Sequence, residues 1–117
     1  MLTLRQVKER IKADPENWRI HLMDFVDDLR YYRDPQMIAE PFVLDNERID
    51  ALLAATAEQL CEELKIQTPV WILSVPAPRD PWFVSEMESL KAIAIVESPL
   101  PFRIRKLFVL ENFLSRG

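Results

Sequence analysis

The chain has very little glycine, and this shortage excludes whole classes of protein. Its 117 residues include one glycine, Gly117, against nine prolines. Without glycine the chain cannot build the glycine-rich phosphate loops of dinucleotide- and nucleoside-triphosphate-binding proteins. Hairpins on Asn-Gly or Gly-Gly turns are also absent, which disfavours an all-β fold. The prolines instead favour helices separated by proline-bearing connections.

Cysteine and long apolar runs are also scarce. Cys61 is the only cysteine, so an intramolecular disulfide bond is impossible. This usage is typical of a reducing compartment, and we expect a cytoplasmic protein. The first residues lack the apolar segment of a signal peptide. No apolar run approaches the ~20 residues that span a bilayer, so we expect no membrane association.

Negative charge is unevenly distributed along the chain. The net charge is −4, and residues 1–65 hold nine Lys or Arg against 14 Asp or Glu. Residues 79–117 hold six Lys or Arg against five Asp or Glu. Non-specific affinity for nucleic acid comes mainly from concentrated Lys and Arg. Nucleic acid is therefore not the partner that this composition favours.

Length and composition predict a single globular domain with one hydrophobic core. Apolar residues make up 49% of the chain and charged residues 29%, which is ordinary for globular proteins. The spacing of apolar residues, with capping residues before them, predicts an all-α fold of about five helices covering residues 1–117. In chain order, the predicted helices cover residues 4–13, 15–33, 45–65 and 85–99, with short helical turns at 70–73 and 111–114.

One of these segments, residues 85–99, has the features of a buried central helix. Ser85 and Glu88 have capping-box spacing, and Pro99 predicts a stop. Apolar residues then surround the helical wheel, which is typical of a helix buried on several sides. A short buried strand is the alternative, because several of these residues are β-branched. The apolar residues concerned are Leu90, Ile93, Ala94, Ile95 and Val96.

Two other segments allow more than one interpretation. Prolines at 76, 78 and 81 exclude regular helix, and we expect Trp82 and Phe83 to fix this loop to the core. A recognition surface is the alternative for these aromatic residues. Residues 102–109 fit a short helix or turn, although their alternation also fits a strand.

Candidate catalytic chemistry is sparse. His21, Asp24 and Asp28 share one side of a helix and could bind a transition metal, but a solvated acidic surface is the favoured interpretation. Cys61 has no local base, as nucleophilic catalysis requires. We therefore predict no catalytic residues, no cofactor and no metal, and a protein that is not an enzyme. A small enzyme using His21 and nearby aspartates remains the least favoured hypothesis.

A basic cluster in the C-terminal region offers a candidate binding surface. Arg103, Arg105 and Lys106 lie between Phe102 and Phe108. A solvated charged face is one interpretation. The other is a contact for an acidic partner or a phosphate, because arginine and aromatic residues are enriched at interfaces.

The order of prolines, aromatic residues and arginines over residues 69–116 resembles a family of small bacterial proteins. These are helical proteins associated with toxin–antitoxin pairs and encoded beside a nucleotidyltransferase-like protein. The similarity rests on the segments Pro69-Val-Trp71, Pro81-Trp-Phe83, 90–99, 102–109 and Asn112-Phe-Leu114. It implies an intracellular helical protein that acts through a protein partner, and it carries no catalytic residues to this chain.

Our leading hypothesis is an antitoxin-like protein that binds and neutralises a protein encoded nearby. The predicted partner-binding residues are Trp82, Phe83, Phe102, Arg103, Arg105, Lys106 and Phe108. The alternative is a dimeric DNA-binding transcriptional regulator that reads DNA through the three basic residues of this set. Formation of a homodimer is a further hypothesis for either function.

Overall fold

Six α-helices and one pair of short strands form the framework of the computed structural model, which describes residues 1–115. The chain is 59% helical and compact, so the predicted all-α class and single compact domain are confirmed. The two strands pair in parallel, with Trp82 opposite Leu107 and Phe83 opposite Phe108. The elements are α1 (Leu4–Ala13), α2 (Trp18–Tyr32), α3 (Glu47–Leu64), α4 (Val70–Leu73), β1 (Trp82–Phe83), α5 (Lys91–Glu97), α6 (Leu100–Arg103) and β2 (Leu107–Phe108).

The start of α1 follows its sequence signal, whereas the start of α2 does not. Thr3 and Gln6 form the predicted capping box. Asp14 does not cap the next helix. Its carboxylate instead accepts hydrogen bonds from the Asn17 side chain, and Pro15–Asn17 form a 3-10 turn. The α-helix therefore begins at Trp18, three residues later than Pro15.

The apolar face of α2 is confirmed as part of the core. Four of its apolar side chains are fully buried, while Ile20 and Tyr31 point to solvent. The helix ends at Arg33, which adopts a left-handed conformation with φ 54°. The buried residues are Leu22, Phe25, Val26 and Leu29.

The central element is α3, and not the predicted helix at 85–99. Every residue from 50 to 57 is buried, and α3 packs against α1, α2, α4 and α6. Four of these residues are alanines, whose small side chains allow neighbouring helices to approach closely. Asn46 caps α3 through a bond from the Ile49 N–H (3.2 Å), where we expected Asp45. Asp45 instead pairs with Lys8 and Lys12.

The segment 85–99 is largely exposed, so the prediction of a buried central helix is wrong. No side chain caps its start, and a 3-10 turn at Glu88–Leu90 precedes α5. Within α5 only Ala94 is buried. The large apolar residues that suggested burial, Ile93, Ile95 and Val96, are exposed. Their side chains point outward because the small Ala94 is the residue that meets the domain.

The proline-rich loop at 76–81 lacks helix and strand, as predicted. Trp82 follows it and is buried against Trp18, with ring centroids 5.8 Å apart. This confirms that Trp82 fixes the loop to the core. Residues 102–109 contain both of the predicted structures. The end of helix α6 occupies Phe102 and Arg103, and strand β2 occupies Leu107–Phe108. No helix within residues 1–115 is long and apolar enough to cross a membrane.

Candidate interaction surface

Three of the seven predicted partner-binding residues lie in the interior of the domain. Trp82, Phe102 and Arg105 are all buried. Phe102 is fully enclosed and meets Phe113 edge-on at 5.9 Å between ring centroids. Trp82 also lies beneath the Arg48 guanidinium, 5.5 Å from the ring centroid. These aromatic residues therefore contribute to the core, and they do not present their rings to a partner in this conformation.

The side chain of Arg105 contacts three helices at once. Its guanidinium donates to the Pro101 carbonyl of α6 (2.8 Å) and the Ile72 carbonyl of α4 (3.1 Å). It also forms an ion pair with Glu58 of α3, at 2.9 Å. Both charged side chains are largely shielded from water. Arg105 therefore holds α4 and α6 in place, and its guanidinium is not available to a phosphate or an acidic partner.

Phe83 and Phe108 are half-buried and cover part of each other's surface. Their rings stack with centroids 4.9 Å apart across the β1–β2 pair. The Lys91 ammonium lies 5.3 Å from the Phe83 ring centroid, at cation–π distance. Both residues remain partly accessible to solvent. They can add contact area to a neighbouring surface, but they are not free aromatic anchors.

Arg103 and Lys106 are the two predicted contact residues that are exposed. Arg103 donates from one terminal nitrogen to the Ser98 carbonyl (2.9 Å) and the Val96 carbonyl (3.3 Å). Lys106 donates to the Arg79 carbonyl at 3.3 Å. Neither cation forms an ion pair with a carboxylate of residues 1–115. Arg103 in particular keeps donors free for a carboxylate, because a guanidinium has five N–H groups.

Exposed apolar side chains lie on α4 and on or directly after α6, the two helices that Arg105 holds together, and Arg103 is exposed on α6. Such residues are individually common on protein surfaces, but their concentration on linked helices marks interaction sites. Sequence reasoning missed them because each helix spans only four residues and shows no complete apolar stripe. We call this set the α4–α6 surface, consisting of Val70, Leu73, Leu100, Arg103 and Ile104.

The residues considered for catalysis are engaged elsewhere. His21 Nε2 lies 3.0 Å from Asp14, and Asp28 accepts a bond from the Leu2 N–H at 2.8 Å. Bonds from Asn17 and then His21 lower the pKa of the Asp14 carboxyl. Within residues 1–115, no group of three His, Cys, Asp or Glu residues could hold a metal ion.

Cys61 is buried in α3. Burial raises the pKa of its thiol above the ordinary value. A buried thiol that stays protonated at neutral pH is a poor nucleophile. Its position therefore fits a structural role in the core.

A groove of about 950 Å³ lies between α1 and α2. Arginines of α1 and acidic residues of both helices line it, including Arg5, Glu9, Asp24 and Asp27. It is open to solvent, and Arg5 and Glu40 of its lining form an ion pair with one another. The groove therefore lacks the enclosed apolar lining typical of a small-molecule site.

Comparison with known protein families, characterised proteins and solved structures finds no match to this chain.

Proposed function

We propose that the protein is an interaction module that binds another protein through the α4–α6 surface. The observation that carries this proposal is the exposure of four large apolar side chains, together with Arg103, on or next to two helices fixed by Arg105. Apolar side chains supply the energy of association when they are removed from water. Arginine within an apolar surface is a frequent source of binding energy.

The pre-formed geometry of this surface favours a stable contact. Arg105 fixes α4 and α6 to α3 before any partner arrives, so little order has to be created on binding. The free N–H groups of Arg103 fit a carboxylate of the partner. Lys106, also exposed, adds positive charge nearby. A partner with an apolar patch that carries acidic residues matches this arrangement.

The biological role that we propose is the antitoxin-like one implied by the sequence resemblance. In this role the chain occludes a functional surface of a protein encoded beside it, such as a nucleotidyltransferase-like protein. Occlusion requires a binding surface but no catalytic group on this chain. The buried position of Arg105 supports protein binding over DNA binding, because only Arg103 and Lys106 of the basic cluster remain accessible to phosphates.

The test is co-expression of the full chain with the protein encoded next to it, followed by calorimetric titration of the purified pair. We expect Ile104→Glu to weaken the complex by at least about tenfold, because it places a charge in the apolar contact. Ile20→Glu is the matched control. Ile20 is 58% exposed on α2 and Ile104 is 56% exposed on the proposed surface.

The control should bind within about twofold of the wild type. Absence of any complex, or equal effects of the two variants, contradicts the proposal. Binding to duplex DNA that weakens steeply with salt would instead support the regulatory alternative.

A further inference from the structure

A pocket of about 260 Å³ opens between α2 and the two segments that directly follow β1 and β2. Two of its apolar lining residues, Val84 and Val109, belong to the buried core. Three more, Met23, Leu110 and Phe113, are half-buried. The rest of the lining is polar. An apolar pocket with a small number of polar groups is the usual form of a small-molecule site.

Arg19 is the only charged residue of residues 1–115 that lines this pocket. Its guanidinium carbon lies 5.1 Å from the Trp18 ring centroid and 5.8 Å from that of Phe113, which also lines the pocket. These cation–π contacts hold the guanidinium in place without using its N–H groups. Within residues 1–115, Arg19 forms no ion pair and no hydrogen bond. Its donors are therefore available to a ligand.

Two further polar side chains of the lining also lack an internal partner. The Ser85 hydroxyl and the Asn112 side-chain amide make no hydrogen bond within the part of the chain that the structure describes. The acidic residues next to them in sequence, Glu86 and Glu111, are exposed and lie outside the lining. The pocket thus combines one cation with neutral donors, which favours an anionic ligand over a cationic one.

We propose that this pocket binds a small monocarboxylate with a short apolar tail. The carboxylate pairs with Arg19, whose parallel N–H groups match its two oxygens, and the tail lies against Val84, Val109 and Phe113. A single guanidinium balances one negative charge, so a monoanion fits better than a phosphate dianion. At about 30 Å³ for each water-sized group, the pocket holds about eight non-hydrogen atoms, the size of hexanoate.

The test is a nuclear magnetic resonance titration of the full chain with acetate, butanoate and hexanoate. We expect affinity to rise by up to about fourfold for each added methylene, because the tail leaves water for the apolar wall. Amide shifts should concentrate in residues 19–23, 84–85 and 109–115, which supply the lining. The pocket shares no residue with the α4–α6 surface, so this result does not depend on the proposed protein partner.

Arg19→Gln tests the role of the guanidinium, since glutamine is polar but carries no charge. We expect it to weaken hexanoate binding by at least about tenfold. Hexanol, the uncharged analogue, should bind the wild type and Arg19→Gln within about twofold of one another. Arg48→Gln is the matched control. Arg48 is also exposed and lies over a tryptophan ring, that of Trp82, but it does not line the pocket.

The control should bind hexanoate like the wild type, and thermal melts check that both variants fold. Absence of shifts in the lining residues up to about 10 mM hexanoate overturns the proposal. Equal affinities for acetate and hexanoate would show that no apolar tail is bound, and would also overturn it. Equal effects of Arg19→Gln and Arg48→Gln overturn the assignment of Arg19 as the carboxylate partner. Shifts confined to the exposed side of α5 would place the ligand on a different surface and overturn the pocket.

Discussion

The sequence and the structure suggest different roles for Arg105. In the sequence it belongs to an apparent basic cluster with Arg103 and Lys106. In the fold its guanidinium enters the interior, pairs with Glu58 and binds carbonyls of α4 and α6. Arg103, two residues earlier, stays exposed on α6. The two arginines therefore have different environments: Arg105 contributes to stability, and Arg103 is accessible for the recognition that we propose.

We expect Arg105→Ala to lower the free energy of unfolding by about 3 to 5 kcal/mol. Removal of one partner leaves the other charge buried without compensation, and two carbonyls also lose their donor. Urea unfolding measures this loss. The control is Arg103→Ala, which should cost about 1 kcal/mol or less because its carbonyl acceptors can turn to water. Equal losses for the two variants would show that Arg105 does not hold the helices.

A second buried charge cluster joins the middle of α1 to the start of α3. The Lys8 ammonium contacts the Asp50 carboxylate, the Val43 carbonyl (2.8 Å) and Asp45 (2.8 Å). The other oxygen of Asp50 accepts bonds from the N–H groups of Asp45 and Asn46. Since every member has partners, the cluster is satisfied. It fixes the loop that leads into the central helix.

Among the helices, the scarcity of glycine has a direct structural consequence. Helices commonly end on a left-handed residue, and glycine adopts that conformation without steric cost. Here the ends of α2 and α3 instead use Arg33 (φ 54°) and Lys65 (φ 60°). Each non-glycine residue in this conformation costs about 1 kcal/mol. The chain therefore carries strain at both helix ends.

Replacement of Lys65 by glycine should relieve this strain at the end of α3. We expect Lys65→Gly to raise the free energy of unfolding by about 0.5 to 1 kcal/mol, measured by urea unfolding. Glu62→Gly, at an exposed helical position one turn earlier, should lower it by about 1 kcal/mol. If both glycine variants are less stable than the wild type, the left-handed end of α3 is not a source of strain.

The contrast between α3 and α5 shows how helix position depends on the residues that face the domain. Both helices are rich in alanine and branched apolar residues. In α3 these residues contact four other helices, whereas α5 meets the domain mainly through Ala94. The residues of α3 are covered by its neighbours, whereas α5 leaves an apolar side exposed to solvent.

For the whole molecule, acidic side chains with lowered pKa values control the response to pH. Hydrogen bonds from Arg30 lower the pKa of Glu63, and bonds from Lys8 and Lys12 lower that of Asp45. Bonds from Asn17 and His21 lower that of Asp14. Such groups bind protons more tightly in the unfolded chain than in the folded chain. Their contribution is complete above the unfolded pKa and is lost as pH falls through the folded value.

We therefore expect stability to be nearly constant between about pH 7 and about pH 5 and to fall in more acidic solution. The loss should begin near 4.5, the ordinary pKa of a glutamic acid. Urea unfolding across this range gives the profile. Glu63→Gln should flatten part of the acid-side slope, because its side chain does not titrate. Glu62→Gln, on the same helix, is the control. A rise in stability on acidification would contradict the assignment of these carboxylates.

The sequence by itself determined the helical class, the caps and ends of α1, the buried side of α2 and the break at the proline-rich loop. These features depend on spacing and on residues close together in the chain. The tertiary structure decided which helix is central and which basic residues are exposed. In the folded chain α3 lies in the middle of the domain, the apolar side of α5 faces solvent, and the Arg105 side chain is buried. Those outcomes depend on contacts between distant segments, such as Glu58 with Arg105, and local spacing contains no information about them.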